Sequence, residues 1–211
     1  MSLLDYWSIF GDMVIGLLIS HVLLFAVALA GAAVLGIGFG IVLFQFRSAS
    51  VVVPVVNVLQ ATPEIVLLAL SIPFLGIGYV GAIVPLFVKG VLPVMRNTLS
   101  GLQSVDPDLT EAARGMGMST RQILLRVQFV AAMPVIIAGL RVSAVMLVSV
   151  ITLTAYIGVE SLGTIILQGI SRMDPNPLLV GSGLAALLAI LVNQAMLLAE
   201  RIAARSTGAG Q

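Results

Sequence analysis

Apolar residues run along this chain in blocks too long and too uniform for a half-buried soluble helix or strand, and short polar punctuation separates the blocks. Crossing about 30 Å of hydrocarbon takes roughly 20 residues of helix, and five stretches meet that length. They run from Val22 to Phe46, Val53 to Leu75, Val80 to Leu99, Met133 to Ile157 and Leu178 to Ala199. All five are predicted to be helices, because a lone strand cannot satisfy its backbone in lipid and these runs lack the two-residue alternation of a membrane barrel. Within the second, Asn57, Gln60, Glu64 and Ser71 recur at helical spacing as one polar stripe, and Pro54, Pro63 and Pro73 are expected to kink it.

Composition agrees: 60% of residues are hydrophobic and only 9% charged, so the solvent of this protein is a bilayer. A net charge of +1 gives no reason to expect nucleic acid. With no cysteine and a single histidine, His21, disulfides, thiol nucleophiles and Cys- or His-rich metal sites are not expected. His21 is read as interfacial. Ala28-Leu29-Ala30 resembles a signal cleavage site, but no basic residue precedes Arg47, so the first run is expected to stay as a span. Arg47, Arg96, Arg114, Arg121, Arg126, Arg201 and Arg205 fall on one side of the five-span plan and Arg172 on the other. The positive-inside rule then places the C-terminus in the cytoplasm and the N-terminus, with Asp5 and Asp12, outside.

Ionisable residues in the spans are costly and need partners. Counted at 1.5 Å per residue, Glu64 lies about 17 Å from the cytosolic start of its span, and Lys89, entering from the other face, reaches about 16 Å from the same side. An ion pair between them is expected, serving either to hold the second and third spans together or to line a path with Asn57 and Gln60. Arg141 is expected to snorkel toward the cytosol. Ala32, Gly36 and Gly40 form a ridge for close helix packing. Gly158 to Pro177, rich in Gly and Pro, is expected to be a re-entrant or surface helix with loops.

Between the third and fourth spans lies DPDLTEAARGMGMSTRQILLRVQF, residues 106–129, with six charges: Asp106, Asp108, Glu111, Arg114, Arg121 and Arg126. Asp106 is placed to cap a helix with Pro107 in its first position, Gly115-Met116-Gly117 to close it, and Ser119 with Gln122 to open a second by a capping box. That second helix is predicted to carry Ile123, Val127 and Val130 on one face. The two are expected to lie on the membrane surface and meet at a glycine elbow, with Ala112 and Ala113 clearing room for another surface and Glu111 fixing register.

EAARGMG, followed nine residues after Gly117 by VQFV, resembles the EAA loop of permease subunits of ATP-binding cassette importers. Glu111, Ala112, Ala113 and Gly117 match its Glu-Ala-Ala-x-x-x-Gly. Val127, Phe129 and Val130 stand where Ile, Leu and Pro belong, with the nearest proline at Pro134, which leaves the helix break after the loop open by several residues. The runs Gly76 to Leu124 and Ile157 to Ile170 are similar to permeases for osmoprotectants such as glycine betaine, choline and carnitine. Methionine permeases share the plan but match less well around Arg96-Asn97-Thr98. Glu64 departs from the family, where a small residue is anticipated after Pro63.

The resemblance implies an all-α, five-span permease core of the type I importer kind, with residues 1–211 as one transmembrane domain and 106–129 as its coupling loop. It implies a multi-pass protein of the bacterial cytoplasmic membrane in which Glu111, Ala112, Ala113, Gly115 and Gly117 couple to a separate ATPase that holds ATP and Mg. It also implies a second permease subunit, identical or a close paralogue, and an extracytoplasmic binding protein. No phosphate-binding loop occurs in this chain: its only lysine, Lys89, precedes Gly90 in a span. No catalytic residue and no cofactor or metal ligand is therefore expected here. The dozen aromatics form no evident cage for a quaternary ammonium, so selection would fall mainly to the binding protein. Another small solute such as methionine is the alternative within the family, and a self-contained carrier or channel is the alternative from a different class; a carrier would show an internal repeat and more spans.

Overall fold

A computed structural model describes residues 3–46 and 49–206, and every regular element among them is helical. Arg47, used above for sidedness, lies outside the described residues. The first helix, α1, is Leu3–Phe46, so it begins about five turns before Val22. Hydropathy marked only the later half, but Asp5 and Asp12 lie on exposed faces and interrupt no backbone hydrogen bond. The earlier half has its own partners: Tyr6, Val14 and Leu17 are buried against Leu162, Ile165 and Val180.

The second expected span is two helices, α2 (Ala49–Ala61) and α3 (Glu64–Leu75), bent by 99° between them. Pro63 sits at the break; it has no N–H to donate and drives Thr62 out of helical geometry. Pro54 and Pro73 stay inside helices. The stripe of Asn57, Gln60, Glu64 and Ser71 is therefore divided between two axes, and a ruler of 1.5 Å per residue cannot carry Glu64 to its depth. Gly76 and Gly78, with φ of 78° and 96°, turn the chain into α4 (Tyr79–Gln103).

Helix α4 is the buried centre, flanked by α1 and by α7 (Phe129–Leu153). The small-residue ridge explains the close approach. A Cβ on Gly36 would lie 2.6 Å from Val94 Cβ, one on Gly40 would lie 2.5 Å from Thr98 Cβ, and Gly90 returns the favour beneath Ala32. On the other flank Gly139 of α7 sits against Asn97, and Ser143 Oγ donates to the Gly90 carbonyl at 2.8 Å. Gly36→Leu is expected to force α1 off α4 and cost about 3 kcal/mol, the upper end of overpacking. Thermal unfolding in detergent measures this; a melting point equal to that of the unaltered protein would count against the contact.

The charged segment forms α5 (Pro107–Gly115) and α6 (Thr120–Ile123). The second of these is not a free surface helix. It runs through a π turn, Leu124–Gln128, straight into α7, with Pro134 inside that helix and no break after the loop. The wider turn shifts the inward face by one residue. Leu124, Ala132 and Ile136 are buried together with Leu102, whereas Val130 is 46% exposed, so Ile123, Val127 and Val130 do not share the packed face.

After a 3-10 turn at Thr154–Ile157 come α8 (Leu162–Arg172) and α9 (Pro175–Ser206). Ser161 caps α8 with a capping box through Thr164, and Leu162 and Ile165 are fully buried. This connection is thus a packed part of the bundle, and deleting it would remove core. Among the described residues four helices are long and apolar enough to cross a membrane, and the bent α2–α3 pair adds a fifth when its two halves are counted as one span.

Two polar residues sit in surroundings that hydropathy did not specify. Arg141, expected to reach toward the cytosol, lies with its Nε 3.1 Å from Oε2 of Glu200, near the C-terminal end of α9. His21 is not interfacial but fully buried, facing the Val148 main chain with neither ring nitrogen in hydrogen-bond geometry.

Candidate functional site

The elbow is built by short-range chemistry. Asp106 Oδ1 accepts from the Asp108 N–H at 2.9 Å, Pro107 fills the first helical position, and Asp108 lies at the positive end of the α5 dipole. At the other end the Met118 N–H reaches the Ala113 carbonyl and the Gly117 N–H the Arg114 carbonyl, at 3.2 and 3.0 Å. This pair of bonds is a Schellman motif and requires the left-handed φ of 81° found at Gly117. Ser119 and Gln122 then exchange hydrogen bonds between side chain and backbone to open α6.

Glu111, Ala112, Gly115 and Gly117 are exposed on the elbow, but Ala113 is 2% exposed. Neighbouring helical residues point about 100° apart, so the two alanines cannot clear the same surface. Ala112 opens the outer face, and Ala113 lets α5 sit against the rest of the bundle. The outer face also carries Leu109 and Met116, both exposed. With Ala112 they form an i, i+3, i+7 stripe beside Glu111, an apolar patch that the sequence reading overlooked although its spacing was there to count.

The second centre is the α2–α3 break. Ending a helix inside a bilayer leaves carbonyls without partners. Lys89, buried on α4, donates from Nζ to the Gln60 carbonyl at 2.9 Å and to the Thr62 carbonyl, and lies 3.2 Å from Glu64 Oε1. An ammonium has three N–H donors, and three acceptors surround this one. The arrangement also suits both dipoles, because the cation sits at the C-terminus of α2 and the carboxylate in the first turn of α3. The pair expected from depth is present, and the same ammonium also satisfies two carbonyls at the helix break. Gln60 takes part through its backbone. Asn57 lies apart from Glu64, accepting from Arg96 Nη1 at 3.3 Å. Glu64 is 35% exposed in its side chain and borders a cleft of about 510 Å³ that α7 and α9 complete with Arg141, Ser149 and Asn193.

One continuous rod joins the two centres. From Thr120 through the π turn to Arg141 the chain stays helical, a rise of about 30 Å. The helix that opens at the elbow therefore also supplies one wall of the cleft.

Residues 32–205 match the family described as binding-protein-dependent transport system inner membrane component. The chain is 41% identical over 150 residues to the carnitine transport permease protein OpuCB of Listeria monocytogenes, covering 71% of this chain and 69% of that protein. It is 34% identical over 182 residues to the choline transport system permease protein OpuBB of Bacillus subtilis, covering 86% and 84%. Among solved structures it superposes on a chain of the inward-facing MetNI methionine ABC transporter with a TM-score of 0.77 at 24% identity, covering 96% of this chain and 99% of that one. At that identity the likeness speaks for the fold.

Proposed function

Because the chain belongs to the binding-protein-dependent transport system inner membrane component family, we propose that it passes quaternary-ammonium osmoprotectants of the glycine betaine, choline and carnitine type across the bacterial cytoplasmic membrane. It is the transmembrane permease subunit of an ATP-driven importer. The observation that carries the solute class is the similarity over most of the chain to carnitine and choline permeases, which extends well beyond the elbow.

In this reading the elbow faces the cytoplasm and the C-terminus lies on the same side, with the N-terminus outside. Leu109, Ala112 and Met116 enter a groove on the ATPase while Glu111 fixes orientation at the rim. ATP and Mg stay on that partner. A second permease subunit completes the path, and an extracytoplasmic binding protein delivers the solute. Reconstituted alone in liposomes, this chain is expected to accumulate no glycine betaine against a gradient. Adding the ATPase, the binding protein and internal or external ATP on the elbow side should start uptake. Uphill transport by the chain alone would sink the proposal and favour a self-contained carrier.

A further inference from the structure

The ion pairs Glu64–Lys89 and Arg141–Glu200 explain how the bundle tolerates four charges, but not why Glu64 and Arg141 border the same cleft. The geometry points to a weak transit subsite for a zwitterion, with its quaternary ammonium toward Glu64 and its carboxylate toward Arg141. This assignment rests on the osmoprotectant reading above and names how the solute is held on its way through.

Register places the two charges together. The hydrogen bond from Ser143 to the Gly90 carbonyl sets Lys89, and with it Glu64, level with the turn of α7 that holds Arg141. The pairing of Arg141 with Glu200 sets the register of α9, which then brings Asn193 about two turns farther along, beside Ser149. At about 510 Å³ the cleft is within the range that takes small solutes. Each charge is anchored yet still open to it, since the side chains of Glu64 and Arg141 are 35% and 30% exposed.

The chemistry of the walls fits this occupant. A quaternary ammonium has no N–H and is held only by Coulomb attraction and by dispersion, so a carboxylate beside apolar Val145 and Met146 serves it without an aromatic cage. Arg141 Nε lies at ion-pair distance from Glu200 Oε2 without hydrogen-bond geometry, so the guanidinium keeps its N–H donors for a solute carboxylate. Lys89 beside Glu64 offsets part of the attraction. Weak binding follows, as a path requires, because a solute held tightly at mid-route would not leave.

The test is uptake of radiolabelled glycine betaine and choline, which lacks the carboxylate, by the whole importer in proteoliposomes at equal amounts of assembled complex. With Arg141→Gln and Glu200→Gln combined, which removes both partners of that pair, the ratio of glycine betaine to choline uptake is expected to fall about tenfold from that of the unaltered importer. Glu64→Gln is expected to lower both uptakes by about tenfold. Val145→Phe fills the cleft without touching an ion pair and should also lower both. An unchanged ratio in the double variant, or full uptake by Val145→Phe, overturns the subsite. If the unaltered importer takes up neither solute, the osmoprotectant reading falls and takes the subsite with it.

Discussion

Lys89→Met is expected to destabilise the permease by about 3 kcal/mol, enough to abolish recovery of an assembled complex from membranes. The substitution keeps length and apolar stem but removes all three donors, and it leaves the Gln60 and Thr62 carbonyls and the Glu64 carboxylate without their cation. Removing one member of a buried pair costs about 3–5 kcal/mol. The lower end applies because Glu64 is partly exposed and can recover some solvation. Thermal unfolding in detergent and size-exclusion recovery measure the effect, and a variant within about 0.5 kcal/mol of the unaltered protein would contradict the stapled break.

Exchanging the two charges is expected not to rescue it. A carboxylate at position 89 accepts hydrogen bonds but donates none, so it would face two carbonyls with like polarity. A simple interhelical ion pair would survive the exchange. Lys89→Arg should fall between the two, because a planar fork cannot point three donors at acceptors arranged around an ammonium.

Glu111→Gln combined with Ala112→Leu is expected to lower ATP-driven uptake about thirtyfold, the loss of one hot spot worth roughly 2 kcal/mol. Both side chains are exposed on the elbow, so the melting point of the permease should hardly move. Ala113→Leu provides the contrast. Its position is buried, and the added bulk should lower the melting point first, with uptake falling in consequence. If Ala112→Leu destabilised the isolated permease as much as Ala113→Leu, the division into an outward and an inward alanine would be wrong.

The elbow was almost fully legible because every bond that shapes it joins residues at most five apart. Asp106 reaches Asp108, Met118 reaches Ala113, and Ser119 exchanges with Gln122. Such contacts leave a local pattern of residue types. The small-residue ridge was legible too, because Ala32, Gly36 and Gly40 keep helical spacing, although its partners Val94 and Thr98 could not be named in advance. What the spacing hid was anything that depends on where a second helix stands. Glu200 sits near the end of the last apolar run, and only the register of α9 on α7 identifies it as the partner of Arg141. His21 looked like an edge residue because α1 was assigned too late a start.

By itself the amino-acid order determined that this is a helical membrane protein, where its long apolar segments fall, and how its charged elbow is capped and turned. Those features follow from transfer into hydrocarbon and from hydrogen bonds within a turn or two, both of which are functions of local composition. The tertiary structure alone decided that the kink expected among the prolines falls at Pro63 and opens to 99°, and it alone decided the threefold coordination of Lys89, the inward turn of Ala113 and the shared cleft of Glu64 and Arg141. In a bilayer an apolar side chain meets an equally apolar medium whether it faces lipid or protein, so hydrophobicity cannot say which face packs. Close approach at glycines and the need to satisfy polar groups away from water choose the neighbours, and those constraints act between segments far apart in the chain.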